Sequence, residues 1–338
     1  MGGNATKDFG TRRITKQEYE VLISELKNTK YHIIKSYSNK ESHGDIDVLG
    51  TISFDEFESI IKTKFNILGI VKNHNEKSYA LEFNNIKFQL DYIRTAPEYL
   101  TFNYNYLSYN DLGNLIGRIA SSFGFKFGHD GLFIKEFFDD KGNTVDKTVS
   151  YIRHEKLISR DWDFALEFLG LNPKRYKEGF NSLEDIFEYV CSSKYFHKNY
   201  YNLENDNNQK RTRDKKRENI NKFNKYLESQ LETNFRESRN LFKEHLKSYP
   251  QIVQYRRDLK KEVKREYYKK RKFKAQKLLK ILRLNYDLVD PKRFGEFIVF
   301  VKKSDLYKDW NINHLEFNSR LRSLYNEFNT LTATNSYK

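Results

Sequence analysis

The 338-residue sequence predicts an α+β fold: a mixed sheet with helices, followed by mainly helical, basic parts. Three observations predict it. Short apolar or alternating runs, the mark of strands, crowd the first 150 residues or so. Helical spacing takes over from residue 159. Positive charge is concentrated late in the chain. Residues 209 to 283 hold 26 Lys+Arg against 9 Asp+Glu, a net of +17, while the whole chain carries +15. The excess therefore lies in one segment, and that points to a polyanion-binding element.

The bulk composition narrows the class. Aromatic residues make up 16% of the chain, which excludes wholesale disorder. Gly and Pro are scarce, at 15 and 4, so long elements with few breaks are expected. The length suits two or three domains. A single cysteine, Cys191, excludes a disulfide framework and a Cys-based zinc site. It reads as a half-buried structural residue in a reducing, cytoplasmic setting. No run approaches the ~18 apolar residues of a membrane span, and no signal peptide opens the chain. "MGGNAT" fits the myristoylation pattern through Gly2 and Thr6. The plainer reading is a polar segment before the first helix.

Each element follows in order. Tyr19, Leu22, Ile23 and Leu26 recur at helical spacing over residues 16 to 29. "YHIIK" and "IDVLGTI" read as strands. "SFDEFESIIKTKF" reads as a helix, with Ser53 as N-cap and Glu56 as its capping-box partner. "FNILGIVKN", "SYALEF" and "IKFQLDYI" are three further strands, the last two joined by a hairpin turn at Asn84-Asn85. Leu112, Leu115, Ile116 and Ile119 form the apolar stripe of a helix within residues 106 to 125. "GLFIKEFF" and "TVSYIRHEK" form a hairpin. Helices follow from 159 to about 196, with a break at 170 to 173. Two long basic helices are expected over 214 to 247 and 250 to 284, the second opening at Pro250. Last come a strand, "EFIVFVKK", and a helix, "LEFNSRLRSLYNEF". There is no internal repeat.

The chemistry centres on "KSYSNKESHGDIDVLG", residues 35 to 50. In a strand, residues i and i+2 share a face. Asp45 and Asp47 therefore project together, roughly 7 Å apart at ~3.3 Å per residue, while Ile46 and Val48 face the core. Two such carboxylates repel, and burying them unpaired costs several kcal/mol. A divalent cation removes that cost, and Mg²⁺ favours carboxylate and phosphate oxygens. "IKFQLDYI" places Asp91 opposite Phe88, Leu90 and Tyr92, again as an acid within an apolar strand. If the two strands are neighbours, three carboxylates can hold two metals ~3.5–4 Å apart. The turn ahead of the acids offers Ser36, Ser38 and Lys40 to phosphate oxygens. It is no Walker loop, because G-x-x-x-x-G-K-[ST] is absent.

Ser36, then Gly44-Asp45-Ile46-Asp47, then a later strand carboxylate at Asp91, resembles the polymerase-β-like nucleotidyltransferase superfamily. The resemblance covers roughly residues 16 to 135. It implies Ser36 and Gly44 at the triphosphate, Asp45 and Asp47 as shared metal ligands, and Asp91 as the ligand near the attacking hydroxyl. It also implies Mg²⁺ or Mn²⁺, an NTP or dNTP substrate and a nucleic-acid 3′ end. Lys35 departs from the pattern, standing where the superfamily usually has Gly. A Lys there adds a phosphate contact or crowds the turn. The segment "YNDLGNLIGRIASSFGFKFGHDGLFI" is similar to uncharacterised, often phage-encoded relatives, which implies action in the host cytoplasm.

A second polar cluster comprises Asn110, Asn114, Arg118, Lys126 and His129. The first three are spaced i, i+4, i+8 and so share a helix face. They are expected either to hold the incoming nucleotide, with Lys126, or to form a solvated face. His129 reads as a turn residue, and no H-E-x-x-H spacing supports zinc. Asp161 and Asp163 in "DWD" suit a helix start, with no catalytic role. The nucleic-acid contacts are expected at Arg256, Arg257, Lys260, Lys261, Lys264, Arg265, Lys269, Lys270, Arg271 and Lys272, interleaved with Tyr267, Tyr268 and Phe273. A membrane-surface role is disfavoured, since no broad apolar face stands out.

The expected organisation is a palm-like catalytic domain over 1–150, a helical extension over 151–208, a basic helical segment over 209–284 and a C-terminal α/β subdomain over 285–338. The expected activity is two-metal transfer of a nucleotide monophosphate to a 3′-hydroxyl, with release of pyrophosphate. Two alternatives stand beside it. One is a transferase that modifies a protein or makes a signalling nucleotide. The other is a non-catalytic nucleic-acid-binding protein with a decayed transferase core.

Overall fold

The computed structural model describes residues 4–139, 143–144, 152–202, 212, 214–229, 234–285, 291–304 and 314–335. The chain is α+β, and it divides into two compact units: Met1–Asp139 with Thr144–Leu259, and Asp140–Asn143 with Lys260–Lys338.

The first unit opens with β1 (Ile14–Thr15), which runs into α1 (Lys16–Leu26). Thr15 and Glu18 form a reciprocal capping box at the helix start. Then come β2 (Tyr31–Ile33), β3 (Ser42–His43), β4 (Ile46–Gly50), α2 (Phe54–Ile61), β5 (Asn66–Asn73), β6 (Glu76–Phe83) and β7 (Ile86–Arg94). β1 pairs with β3 in a small ladder of their own. The main sheet has the order β2-β4-β7-β6-β5 and is mixed, because β4 and β7 are parallel while the other pairs are antiparallel.

Local chemistry explains the boundaries. Ser53 accepts the Glu56 amide at 3.1 Å and starts α2. The expected capping box is only half made. The Glu56 carboxylate takes Lys30 at 2.6 Å instead of turning back to Ser53. Asn84 and Asn85 both have positive φ, 48° and 65°, which a two-residue β6–β7 turn of the primed type requires.

Helices α1 and α2 cover one face of the main sheet. Leu22, Leu26, Phe57 and Ile61 meet Ile46, Val48, Tyr79, Leu90 and Tyr92 there, all buried. Phe57 stacks on Tyr92 with ring centres 3.9 Å apart.

A second core lies around α3 (Leu100–Leu107), α4 (Leu112–Ser122) and an antiparallel meander of β8 (Phe125–Gly128), β9 (Gly131–Phe138) and β10 (Ile152–Ser159). It extends through α5 (Trp162–Phe168), α6 (Pro173–Glu178), α7 (Leu183–Cys191), α8 (Glu218–Glu228) and α9 (Phe235–Leu246). Asp161 caps α5 through a 2.7 Å bond from the Phe164 amide, and Asp163 pairs with Lys177. "DWD" is thus a helix start. Cys191 is half-buried, and burial pushes its thiol up to about 12, out of the reactive range.

Two expectations are corrected. The basic stretch expected as one helix over 214 to 247 is two, α8 and α9. Asn234 starts the second by accepting the amides of Arg236 and Glu237. The second long helix does run from Pro250, as α10 (Pro250–Asn285). "EFIVFVKK" is helical, not a strand. It belongs to α11 (Pro291–Lys303), which packs against α12 (His314–Asn335) in the second unit. A strand would put Phe297, Val299 and Val301 on one face. Phe297 and Val301 are buried, at i and i+4, but Val299 is 52% exposed. The period is helical, and Pro291 suits a first helical position. Among the described residues, no helix is long and apolar enough to cross a membrane.

Phe57 is fully buried between two layers of the main sheet's core. Phe57→Ala is expected to cost about 3–5 kcal/mol, read from the urea midpoint at constant m-value. A change below about 1 kcal/mol would contradict this packing.

Candidate active site

Strand pairing builds the site. β4 sends Ile46 and Val48 into the core under α1 and α2, so Asp45 and Asp47 take the opposite face. β7 does the same with Phe88, Leu90 and Tyr92, leaving Gln89 and Asp91 on the side of the acids. The parallel register sets Asp47 directly beside Asp91. Asp45, Asp47 and Asp91 each bring an oxygen within 4.8 Å of the others. Asp91 is fully buried, and Asp45 and Asp47 are half-buried.

The far face of β7 is also covered, which was not evident in the sequence. Thr6, fully buried, donates its amide (3.2 Å) and hydroxyl (3.3 Å) to the Gln89 side-chain carbonyl. That fixes the amide of Gln89, whose nitrogen donates to both Asp91 oxygens at 2.9 and 3.0 Å. The N-terminal segment therefore orients a candidate ligand. The signal was faint: a Gln two residues before an acid on one strand face.

Three carboxylates this close cannot all be charged cheaply. Burial pushes Asp91 up to about 7, Asp45 and Glu76 add to the rise, and Gln89 opposes it. Asp47 is raised well above the ordinary range by burial first, then by Asp45 and Asp91. Oxygen donors, excess negative charge and partial burial are what a Mg²⁺ or Mn²⁺ site requires, so the residues fit the ion.

The turn after β2 lies against this cluster. The Ile34 amide still bonds to the Asp47 carbonyl at 2.9 Å, which carries the chain past the acids. The Ser36 hydroxyl is buried and has no hydrogen-bond partner among the described residues. A buried, orphaned donor in the turn that leads to the acids suits a phosphate oxygen. Lys40 is half-buried. Burial lowers its pKa, while the charges of Asp45 and Asp47 work the other way. Gly44 is buried between His43 and Asp45.

Arg13 is a residue the sequence reading missed. It precedes β1, and its guanidinium grips the carbonyl and hydroxyl of Ser42 at 3.0 Å each. Neither Arg13 nor Lys40 makes an ion pair among the described residues. His43 lies flat on Tyr19, with ring centres 3.6 Å apart. Burial, then the charges of Lys40 and Arg13, push its pKa down to about 4, so its imidazole is neutral at pH 7.

Lys35 does not need the backbone freedom of Gly, since it is not among the residues with positive φ. Its carbonyl accepts the Tyr109 amide at 2.7 Å, and its ammonium lies 5.8 Å from the Tyr104 ring.

Several expected contacts lie elsewhere. Ser38 is not presented to a phosphate. Its amide bonds to the Phe180 carbonyl at 3.0 Å, and its hydroxyl to Asn181 at 2.8 Å. Arg118 is buried and paired with Asp214 at 2.7 Å, inside the second core. Lys126 is paired with Asp130 (2.9 Å) and Glu155 (3.3 Å) and lies over the Phe133 ring. Both cations are held by carboxylates of the chain itself. Asn110 precedes α4 with a φ of 62°, which breaks the expected shared face. Asn114 is on α4, with its amide nitrogen buried and unpartnered among the described residues.

In the basic helix, Arg256 is structural. It pairs with Glu136 at 3.0 Å, donates to the Phe123 and Gly124 carbonyls and lies over the Phe125 ring. Arg257, Lys260, Lys261, Lys264 and Arg265 are exposed. The side chains of Lys269, Lys270, Arg271 and Lys272 lie outside the described residues.

No family model and no curated protein matches the chain. Among solved structures, it is similar to polymerase beta of Leishmania infantum in a ternary gap complex and in a ternary P/T complex. Identity is 11% and 14%, and TM-scores are 0.31 and 0.29. The matches cover 39% and 36% of this chain, and 54% and 58% of those chains. The chain thus spans little more than half the length of the structures it matches.

The charge cluster has a measurable consequence. Asp91 has a folded pKa of about 7 against an ordinary 3.8, so the folded state holds the extra proton between those values. Stability is therefore full at low pH in this window and is lost as pH rises through about 7. Without divalent metal, Tm is expected to fall from pH 5 to pH 8. Mg²⁺ or Mn²⁺ should restore it at pH 8 and do little at pH 5. Asp91→Asn should raise the metal-free Tm at pH 8 by about 5 °C. A flat metal-free profile with no metal response would contradict the site.

Proposed function

We propose that the chain is a metal-dependent nucleotidyltransferase. It moves a nucleotide monophosphate from an NTP or dNTP to a nucleic-acid 3′-hydroxyl and releases pyrophosphate. The observation that carries this reading is the juxtaposition of Asp45, Asp47 and Asp91 on two parallel neighbouring strands. The orphaned Ser36 hydroxyl in the turn that leads to them supports it.

Asp45 and Asp47 would hold Mg²⁺ or Mn²⁺ jointly, and Asp91 would complete the set. When bound, such ions lower the pKa of an attacking hydroxyl and offset the charge on transferring phosphate. The remaining work belongs to the side chains. Ser36 donates its hydroxyl to a phosphate oxygen. Lys40 and Arg13 supply positive charge at the same end of the sheet, and Arg13 can meet a phosphate with a planar pair of donors. Gly44 leaves room ahead of Asp45. Asn114 offers its unpartnered amide to the nucleotide. The strands hold these groups rigidly, and positioning is the larger part of this chemistry.

Residues 1–150 form the catalytic part in this reading, and 151–208 extend it. Residues 209–284 grip nucleic acid through Arg257, Lys260, Lys261, Lys264 and Arg265, with Lys269, Lys270, Arg271 and Lys272 continuing the basic run. Residues 285–338 are the C-terminal part in this reading.

Extension of labelled RNA and DNA primers, with each nucleotide supplied separately and Mg²⁺ or Mn²⁺ present, tests the reaction. Asp45→Asn and Asp47→Asn should each slow it on the order of a thousandfold, about 4 kcal/mol of barrier. Incorporation that survives the double substitution would sink the assignment. Nucleic-acid binding should weaken with salt. Lys260→Ala with Lys264→Ala should reduce the slope of log K against log salt by about 2. An unchanged slope would remove α10 from the interface.

A further inference from the structure

We propose that the loop at Gly179–Ser182, in the helical part of the first unit, is a working part of the phosphate cradle. Asn181 is the residue that positions it. The inference rests on reading the turn at residues 35–40 as the triphosphate site.

Past Ile33 the chain leaves the main sheet, and the turn has few anchors of its own. The Lys40 amide reaches the Tyr37 carbonyl only at 3.4 Å. The firm bonds come from a loop far along the chain. The Ser38 amide donates to the Phe180 carbonyl at 3.0 Å, and the Asn39 amide to the Asn181 carbonyl at 2.9 Å. The Ser38 hydroxyl donates to the Asn181 side-chain carbonyl at 2.8 Å, across 143 residues of sequence. Ser38 and Asn39 thus spend their donors on the loop. At the two ends, Lys40 feels the charges of Asp45 and Asp47, and the buried Ser36 hydroxyl has no hydrogen-bond partner among the described residues. The loop fixes the middle of the turn, and the two ends serve the phosphate.

The loop is itself held hard. Gly179 has a φ of +83°, where a side chain would be strained. Phe180 is buried, edge-on to Tyr109 at 4.8 Å, with the Arg175 guanidinium 4.9 Å over its ring. Arg175 also donates to the Gly179 carbonyl at 2.5 Å. The Asn181 amide donates to Asp185 at 2.8 Å, and Ser182 caps α7. Tyr109, which Phe180 packs against, is the residue whose amide bonds to Lys35 at the start of the turn. The helical core therefore grips the turn at both its beginning and its middle. A turn ordered before the ligand arrives spares the nucleotide the entropy of ordering it.

The side-chain bond is exposed, so its loss should leave the fold intact, and thermal melting checks this. The experiment compares Ser38→Ala, Asn181→Ala and the double variant. It measures equilibrium binding of inorganic triphosphate with Mg²⁺, and KM and kcat for nucleotide incorporation. Each single variant should weaken triphosphate binding and raise KM roughly fivefold to tenfold, with kcat within about twofold. The double variant should be no worse than the weaker single, because one bond is lost in all three. Singles within about twofold of the parent, or a double equal to the product of the singles, would overturn the inference. Two mixed results separate it from the transferase reading. Triphosphate binding that depends on Asn181, with no incorporation by the parent chain, would defeat the transferase and leave the loop's role. Incorporation with KM unchanged in all variants would defeat the loop's role and leave the transferase.

Discussion

The parallel pairing of β4 with β7 is the constraint on which the rest depends. It sets Asp47 beside Asp91 on one face, and Val48 beside Tyr92 on the other. A slip of one residue would turn the acids into the core and the apolar set out of it. The stacking of Phe57 on Tyr92 therefore also holds the carboxylates in place. So does the chain of Thr6, Gln89 and Asp91 on the opposite side. Packing on one face and polar order on the other support the same register.

That arrangement stores a cost. Three carboxylates, Asp91 fully buried and Asp45 and Asp47 half-buried, repel each other, and protonation or a divalent cation relieves them. A protein selected for stability alone would replace one of them. Their presence, with the Ser36 hydroxyl unpartnered and Lys40 and Arg13 outside any ion pair among the described residues, fits a site that metal and phosphate would balance. The two cores divide the work. The sheet core presents the acids, and the helical core steadies the turn that leads to them.

Much of this was legible in the sequence. The period of two in "DIDV" and "IKFQLDYI" is local, so strand identity and the shared face of the acids could be read directly. The hairpin at Asn84-Asn85 and the cap at Ser53 are equally local. What could not be read depends on distant partners. Arg118 and Lys126 looked like ligand contacts because sequence does not reveal Asp214, Asp130 and Glu155 as their neighbours. Arg256 belonged by composition to the basic surface, yet it serves the meander. Ser38 reads as a phosphate donor until Asn181 is placed beside it. "EFIVFVKK" misled for another reason. Its β-branched and aromatic content favours a strand, but burial follows i and i+4.

The central claim is that Asp45, Asp47 and Asp91 form one two-metal centre. Electron paramagnetic resonance of the full chain with Mn²⁺ and a non-hydrolysable nucleoside triphosphate tests it most directly. The account predicts two Mn²⁺ per chain, magnetically coupled at a separation of ~3.5–4 Å, and loss of the coupled signal in Asp47→Asn. Uncoupled, weak Mn²⁺ binding that is the same in the parent and in Asp47→Asn would contradict it.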